Sequence, residues 1–201
     1  KMTEVIKQGS KRRGANMGIL RADHPDIIEF ITCKNDQNAF TNFNISVAAT
    51  DKFMEAVLKN KKYEIIDPKT KKVVKKLNAR SVFDMIVSNA WANGDPGLIF
   101  IDRINKMHNL NEEITATNPC GEQPLLPFES CVLGSINLTK FVNNKNVDWE
   151  RLKQVIHTSV RFLDDVIDAN HYTIKEIEHT TKENRRIGLG IMGFADMLIM
   201  L

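Results

Sequence analysis

The feature that most limits the fold of this chain is a repeated order of elements. A short apolar strand is followed by an amphipathic helix, and the pair then recurs. Residues 15–20 predict a buried strand, and residues 24–31 predict a helix entered through a proline. The order recurs, because residues 43–48 alternate like a strand and Thr50 or Asp51 can cap the helix that follows. Strands joined through helices favour parallel pairing, so the predicted fold class is α/β.

Several further segments have a clear periodicity or a clear turn signal. Two β-rich runs flank a polar Asp-Pro turn, which is typical of a hairpin, and the longest apolar stripe has helical spacing. The predicted elements are a hairpin over about residues 62–77, a helix over 81–92 stopped by Gly94, a buried strand over 98–101 and a long helix over 148–169.

The composition narrows the class of protein. The chain has 201 residues, 42% of them apolar and 26% charged, which is typical of a globular protein with a real core. It has no apolar run approaching the roughly 20 residues that span a bilayer, and its first residues lack the apolar core of a secretory signal. The net charge of +3 is too small to indicate a nucleic-acid partner. Three widely spaced cysteines predict a reducing, cytoplasmic location.

Both ends of the chain suggest a longer polypeptide. The first residue is Lys1 rather than methionine, and residues 190–201 stop inside an apolar helical pattern without a cap. We therefore expect the chain to be a central segment of a larger protein.

The segment Asn118–Glu122 is the strongest candidate for chemistry. It places an amide, the thiol of Cys120 and a carboxylate within a few residues, and Pro119 and Gly121 on either side of the thiol predict that it lies at a loop tip. In an extended segment, Asn118, Cys120 and Glu122 would share one face. A carboxylate there can act as a general base, and an amide can hold a hydroxyl group.

Cys131 adds a second thiol, but each cysteine also has a structural explanation, because a buried free cysteine often acts as a small hydrophobe. Cys33 has no catalytic neighbours in sequence and is predicted to be structural. The absence of a Cys-x-x-Cys pair and the scattered histidines disfavour a zinc site. A papain-like hydrolase is disfavoured because its local sequence signatures are absent. No metal ligand is therefore predicted.

Other conspicuous residues have simpler explanations. Trp91 and Trp149 fall at helical positions and are predicted to lie in the core. Gly188, Gly190 and Gly193 match a phosphate-loop spacing, but no strand is apparent before them, so close helix packing is the preferred interpretation.

Residues 117–126, with the Cys131 segment 129–138, closely resemble the finger-loop region of ribonucleotide reductase large subunits, in particular the adenosylcobalamin-dependent class II enzymes. The similarity covers nearly the whole chain in the same order. Its other segments are residues 8–18, 24–26, 42–47, 94–97 and 185–193.

The resemblance implies a fold and a place in it. Family members have a ten-stranded α/β barrel with a central finger loop, and the barrel would be incomplete in this chain. Residues 1–201 would form the central segment of a single catalytic barrel domain, with the finger loop over about residues 115–132.

The resemblance also implies residue roles. Cys120 matches the thiyl-radical residue that takes the 3′ hydrogen of a ribonucleotide, Glu122 the base for the 3′ hydroxyl, and Asn118 its hydrogen-bonding companion. Cys131 matches one member of the reducing thiol pair, whose partner would lie upstream of Lys1.

The implied cofactor is adenosylcobalamin, for which the sequence identifies no binding residue. The implied partners are a ribonucleotide substrate, dNTP or ATP effectors, a thioredoxin-like or other dithiol reductant, and possible homodimerisation of the full-length protein. Gln8, Lys11 and Arg12 fall in a segment that resembles the loop coupling a bound effector to substrate choice, although a basic turn of this kind is by itself more often solvated surface.

Two other functions stay open. The first is a non-catalytic nucleotide-binding or allosteric module derived from the same barrel. The second is a nucleic-acid binder that uses Lys69–Lys76, although a hairpin there favours an ordinary solvated surface.

Overall fold

The computed structural model describes residues 7–8, 12–36 and 38–201, and at residues 7, 8, 12 and 13 it describes the backbone alone. Two compact units divide the chain, Lys1–Pro127 and Phe128–Leu201. Each unit contains parallel strands and helices, which confirms the α/β class.

The first unit contains the strand and helix repeats that the sequence predicted. Its strands are β1 (Lys7–Gln8), β2 (Arg12–Arg13), β3 (Asn16–Arg21), β4 (Phe43–Ala49), β5 (Lys62–Ile66), β6 (Val73–Asn78), β7 (Gly97–Phe100), β8 (Ala116–Thr117) and β9 (Pro124–Leu125). Its helices are α1 (Ile27–Thr32), α2 (Asp51–Leu58), α3 (Ala79–Asn93) and α4 (Ile101–Met107).

The second unit is smaller and is built around one long helix. Its strands are β10 (Val132–Asn137), β11 (Val142–Asn143), β12 (Asn146–Val147) and β13 (Ile187–Met192). Its helices are α5 (Trp149–Ala169), α6 (Lys175–Asn184) and α7 (Phe194–Met200), with a 3₁₀ turn over Leu138–Phe141.

A three-stranded parallel sheet in the order β3-β4-β7 is the centre of the first unit. The central strand β4 separates two apolar clusters, because its side chains alternate between faces. Val47 and Ala49 belong to the larger cluster, which also contains Phe53 and Tyr63 with ring centroids 4.9 Å apart. Ala48 points the other way, into a smaller cluster.

Local capping explains where several predicted elements begin and end. Thr50 caps α2 by accepting a hydrogen bond of 3.1 Å from the Phe53 N–H. Gly94 ends α3 in the left-handed region, at φ 87°, as expected for a glycine stop. The antiparallel hairpin β5-β6 and the long helix α5, capped by Asp148, also match their predictions closely.

The second unit shows one strand that the sequence pattern did not reveal. Gly188 and Gly190 lie within β13, which pairs in parallel with β10. Glycine is unfavourable in strands, so the local sequence does not favour a strand here. Pairing with β10 therefore stabilises β13. Gly193 follows at φ 70°, and a Cβ there would lie 2.7 Å from Asn137 Oδ1, so close packing is the correct interpretation for this residue.

The prediction that both tryptophans lie in the core is wrong for this chain. Trp91 is 90% exposed and Trp149 is 68% exposed. Helix α3 buries Ala79, Val82 and Ile86. Because each helical residue is rotated by about 100° from the one before it, Trp91 lies on a different side of α3 from these three residues. Helical spacing alone does not say which side of a helix meets a partner.

Within the part of the chain that the structure describes, none of the helices combines the length and the apolar character that crossing a membrane requires.

Arg185 joins two helices of the second unit. It follows α6 in the left-handed region, at φ 45°, and its guanidinium donates to Asp164 at 2.8 Å and to both carboxylate oxygens of Asp168 at 2.9 and 3.0 Å. Hydrogen bonding to Arg185 lowers the pKa of both carboxyl groups. This arginine therefore fixes the end of α6 against α5.

We expect Arg185→Met to lower the thermal midpoint at about pH 7 and to lower it less at about pH 2.5. The carboxyl pKa values are depressed in the folded state. Their contribution is therefore complete above the unfolded value, and it is lost as the pH falls through the folded values. Arg161→Met is the matched control, because Arg161 is exposed and its contact with Asp165 is long, at 3.9 Å. An equal effect of Arg185→Met at both pH values would contradict the assignment.

Candidate active site

A short hairpin carries the predicted reactive residues. Strands β8 and β9 pair antiparallel, with Ala116 opposite Leu125 and Thr117 opposite Pro124. Residues 118–123 form the turn between them, which is called the tip below. The tip therefore presents Asn118, Cys120 and Glu122 from one compact turn.

Asn118 closes this tip. Its backbone N–H donates to the Gln123 carbonyl at 3.1 Å, and its side-chain Oδ1 accepts from the Gln123 N–H at 2.9 Å. Its own carbonyl accepts from the Gly121 N–H at 3.0 Å. Among the described residues nothing accepts a hydrogen bond from Asn118 Nδ2, so that group remains available to a ligand.

Cys120 is exposed at the tip. Gly121, the next residue, has φ 82°, a conformation that glycine adopts without strain and that turns the chain sharply after the thiol. The prediction of a thiol presented at a loop tip is borne out by this geometry.

Cys120 lines a cleft of about 430 Å³ in the first unit. The wall opposite the tip is polar, because Asn44 and Ser46 lie on the same face of β4 and Asn93 and Asp95 precede β7. A cleft of this size with a few convergent polar groups is typical of a small-molecule site.

Glu122 is exposed and does not line this cleft, and neither does Asn118. The expectation that both share a face with Cys120 in an extended segment is wrong, because residues 119–122 form a turn. The three residues therefore share a closed turn and not one face of a strand.

An ion pair lies beneath one edge of the cleft. Lys34 Nζ contacts Asp95 Oδ2, and the two side chains are 17% and 18% exposed. Lys34 also donates to the Phe43 carbonyl at 2.7 Å, and Asp95 Oδ1 accepts from the Ile45 N–H at 3.2 Å. Both charges thus have backbone partners on β4, which a mostly buried pair requires.

Asn44 is a residue that the sequence did not single out. Its Nδ2 donates a hydrogen bond to the carbonyl of Pro119, the residue before Cys120. The available signal was the alternation of β4, in which Asn44 falls on the face opposite Ile45 and Val47. That pattern predicts a polar face but not what the face contacts.

Cys131 belongs to the second unit, where it is half-buried just before β10. Its Sγ lies 3.8 Å from the Val132 carbonyl oxygen. The preceding residue, Ser130, shares a hydrogen bond of 2.8 Å with Thr181. This thiol therefore lies on a segment held by neighbouring elements.

A buried ion pair anchors the same segment. The Glu129 side chain is fully buried, and its Oε1 lies 3.0 Å from Arg186 Nε and accepts a hydrogen bond of 2.9 Å from Asn184 Nδ2. No local sequence pattern predicts this pairing, because the partners are more than 50 residues apart. A buried carboxylate with cationic and amide partners is strongly specified in position.

Cys33 lies elsewhere, in an apolar cavity of about 440 Å³ with Phe30, Phe40 and Phe43. Burial raises the pKa of its thiol, which lowers its thiolate fraction and its reactivity at neutral pH. This agrees with the prediction that it is structural.

The predicted effector residues cannot be assigned contacts. Lys11 lies outside the described residues, as do the side chains of Gln8 and Arg12. The backbone of Gln8 pairs antiparallel with Arg12, so these two residues flank a short connection.

Among the described residues, no group of three or more His, Cys, Asp or Glu side chains has a placement that could hold a metal ion.

Comparisons with known proteins relate this chain to a family. A family model described as the ribonucleotide reductase barrel domain matches residues 1–201. The chain is 53% identical to a vitamin B12-dependent ribonucleoside-diphosphate reductase of Thermoplasma acidophilum, over 99% of this chain and 26% of that protein. It is 46% identical to one of Mycobacterium tuberculosis, over 98% and 29%. A vitamin B12-dependent ribonucleotide reductase of Streptomyces coelicolor is 30% identical, over 95% and 23%.

The chain thus spans about a quarter of the length of these relatives. The match to the barrel domain extends over the complete sequence and includes the hairpin that carries Cys120. This chain therefore belongs to the ribonucleotide reductase barrel-domain family.

Proposed function

We propose that this chain carries the reactive loop of an adenosylcobalamin-dependent ribonucleotide reductase, which reduces ribonucleotides to deoxyribonucleotides. The observation that carries the proposal is the exposed thiol of Cys120 on a closed turn that faces a polar cleft. The family supports the reaction class, and the names of the relatives support the cofactor.

Cys120 is the proposed hydrogen-transfer residue. As a thiyl radical it takes the hydrogen atom from C3′ of the ribose, and as a thiol it returns that hydrogen at the end of the cycle. Its position at a tip bordered by Pro119 and Gly121 supports this role, because both neighbours restrict or turn the backbone so that the sulfur is directed outward.

Asn118 and Glu122 are proposed to act on the 3′ hydroxyl group. Glu122 accepts its proton as a general base, and the Asn118 amide nitrogen holds the hydroxyl oxygen. The closed turn supports this role for Asn118, since Oδ1 already accepts from the Gln123 N–H and Nδ2 is the part of the amide that can donate to a ligand.

Cys131 and a second thiol outside this chain are proposed to supply the electrons. The 2′ hydroxyl leaves as water, C2′ gains one hydrogen, and the two thiols lose two electrons and two protons as they join in a disulfide. A thioredoxin-like or other dithiol then restores the thiols by exchange.

The cofactor fits one feature of this chain. When bound, adenosylcobalamin supplies an organic radical that can remove a hydrogen atom from a thiol. Cys120 is an exposed thiol at a polar cleft large enough for a small molecule, and the described residues include no group that we assign to cobalamin itself. The contribution of this chain is then to orient the thiol and to shape its cleft.

The remaining roles are also proposals. Gln8, Lys11 and Arg12 are the candidate contacts for a dNTP or ATP effector. The antiparallel pairing of the Gln8 and Arg12 backbones, between which Lys11 falls in the sequence, supports this proposal. The free thiols of Cys33 and Cys120 are compatible with a reducing cytoplasm. A homodimer of the full-length enzyme is a further expectation.

In a reductase polypeptide of full family length that carries this sequence, Cys120→Ser is expected to abolish dNTP formation. A hydroxyl cannot replace the thiol in reversible hydrogen-atom transfer, whereas the fold and effector binding are preserved. Product formation and effector binding are the two measurements. Cys33→Ser is the matched control and retains activity, because Cys33 lies in an apolar cavity outside the Cys120 cleft. Normal turnover by Cys120→Ser would exclude the proposed function.

Cys131→Ser in the same polypeptide is expected to stop turnover supported by dithiol reductants, because the disulfide can no longer form. The measurement is the number of deoxyribonucleotides formed per enzyme with dithiothreitol as the reductant. Sustained turnover would assign the reducing role to other thiols.

The 201-residue chain assayed alone with adenosylcobalamin is expected to form no deoxyribonucleotide. It spans about a quarter of its relatives and contains one of the two proposed reducing thiols. Product above the level of a Cys120→Ser chain would contradict this expectation.

A further inference from the structure

We infer that Asn44 is a positioning residue for Cys120, and that it acts through its hydrogen bond to the carbonyl of Pro119. The inference rests on the proposed function of Cys120, which it extends to a residue on a different element. Asn44 is on β4 and Pro119 is on the tip, 75 residues later in the chain.

The bonded carbonyl belongs to the peptide group that joins Pro119 to Cys120. A peptide group is planar, so its carbonyl oxygen lies in one plane with the nitrogen and the Cα of the next residue. A hydrogen bond to the Pro119 oxygen therefore orients the plane from which the Cys120 side chain starts. Pro119 also has a fixed φ, which leaves few other motions on that side of the thiol.

The other hydrogen bonds of the tip are internal. Asn118 bonds to Gln123 and to Gly121, which keeps the turn closed but does not attach it to the sheet. Among the described residues, the Asn44 side chain makes the hydrogen bond that joins the tip to the wall of the cleft. Without it, the tip would pivot on its two short strands, β8 and β9.

Asn44 is itself held on both sides. The Lys34 ammonium binds the carbonyl of Phe43, and the Asp95 carboxylate binds the N–H of Ile45, so the peptide groups before and after Asn44 are both fixed by one ion pair. Pairing of β4 with β7 begins only at Ser46, opposite Gly97. The ion pair thus takes the place of a neighbouring strand at the position where Asn44 projects.

This arrangement suits a residue that must hold a thiol without changing its chemistry. An amide donates a hydrogen bond without adding a charge near a radical site. Displacement of a reacting group by about 1 Å can cost about a hundredfold in rate, so one hydrogen bond at this place can matter more than its contribution to stability.

The test uses Asn44→Asp in a full-length reductase polypeptide that carries this sequence. Aspartate has the same shape, but its ionised carboxylate cannot donate to the Pro119 carbonyl. We expect kcat to fall by about ten- to a hundredfold while KM changes by less than about threefold. Asn44→Gln keeps the donor and is expected to recover part of the lost kcat.

A second measurement does not depend on activity. Alkylation by iodoacetamide is followed at Cys120 and at Cys33 by peptide mass spectrometry, and the ratio of the two rates is expected to rise in Asn44→Asp as the tip loosens. Asn89→Ala is the matched control, because Asn89 also donates from its amide to a backbone carbonyl, that of Met85 at 2.8 Å, but within helix α3. It is expected to leave kcat and the ratio unchanged.

Two results would overturn the inference. One is a wild-type kcat and an unchanged alkylation ratio in Asn44→Asp. The other is a lower thermal midpoint with an unchanged ratio, which would assign Asn44 to the stability of β4 alone. Cys120→Ser separates this failure from failure of the proposed function, because an active Cys120→Ser enzyme refutes the function whatever the Asn44 variants do.

Discussion

The ion pair between Lys34 and Asp95 is the interaction on which the cleft depends. Both charges are mostly buried, and each binds a backbone group of β4 as well as the other charge. A buried pair adds little net stability, but leaving either charge without its partner is costly, so its geometry is strongly specified. It lies where β4 has no β7 neighbour, and it therefore defines the start of the strand that forms the cleft wall.

The alternation of side chains along β4 links the Lys34–Asp95 ion pair to the candidate active site. One face carries Val47 and Ala49 into the main core, which fixes the strand by burial of apolar area. The other face carries Asn44 and Ser46 to the cleft, because successive side chains point to opposite sides. A single strand thus joins the core of the first unit to the tip that bears Cys120, with the Asn44 hydrogen bond as the connection.

In the second unit, a charge pair of low exposure also holds a backbone segment, the one that leads to Cys131. The Glu129 side chain is fully buried against Arg186 and Asn184, immediately before Ser130 and Cys131. In the first unit, a charge pair of low exposure holds the strand whose Asn44 binds the tip. In the second unit, a charge pair of low exposure holds the segment just before Cys131. Such pairs add little to the stability of the fold but specify the position of the backbone that they bind. A group that reacts with a substrate needs a well-defined position.

Periodicity and turn chemistry in the sequence determined the α/β class, the hairpin β5-β6, the caps Thr50 and Gly94 and the long helix α5, because these are local properties of the chain. Local composition also indicated that Cys120 lies at a turn. Tertiary structure alone decided the rest. Strand β13 exists through its partner β10, and Trp91 is exposed because α3 packs on one side. Lys34 meets Asp95 across 61 residues of sequence, and Asn44 meets Pro119 across 75. No local pattern encodes those distances, since they arise only when buried charges and amides must find partners in the folded chain.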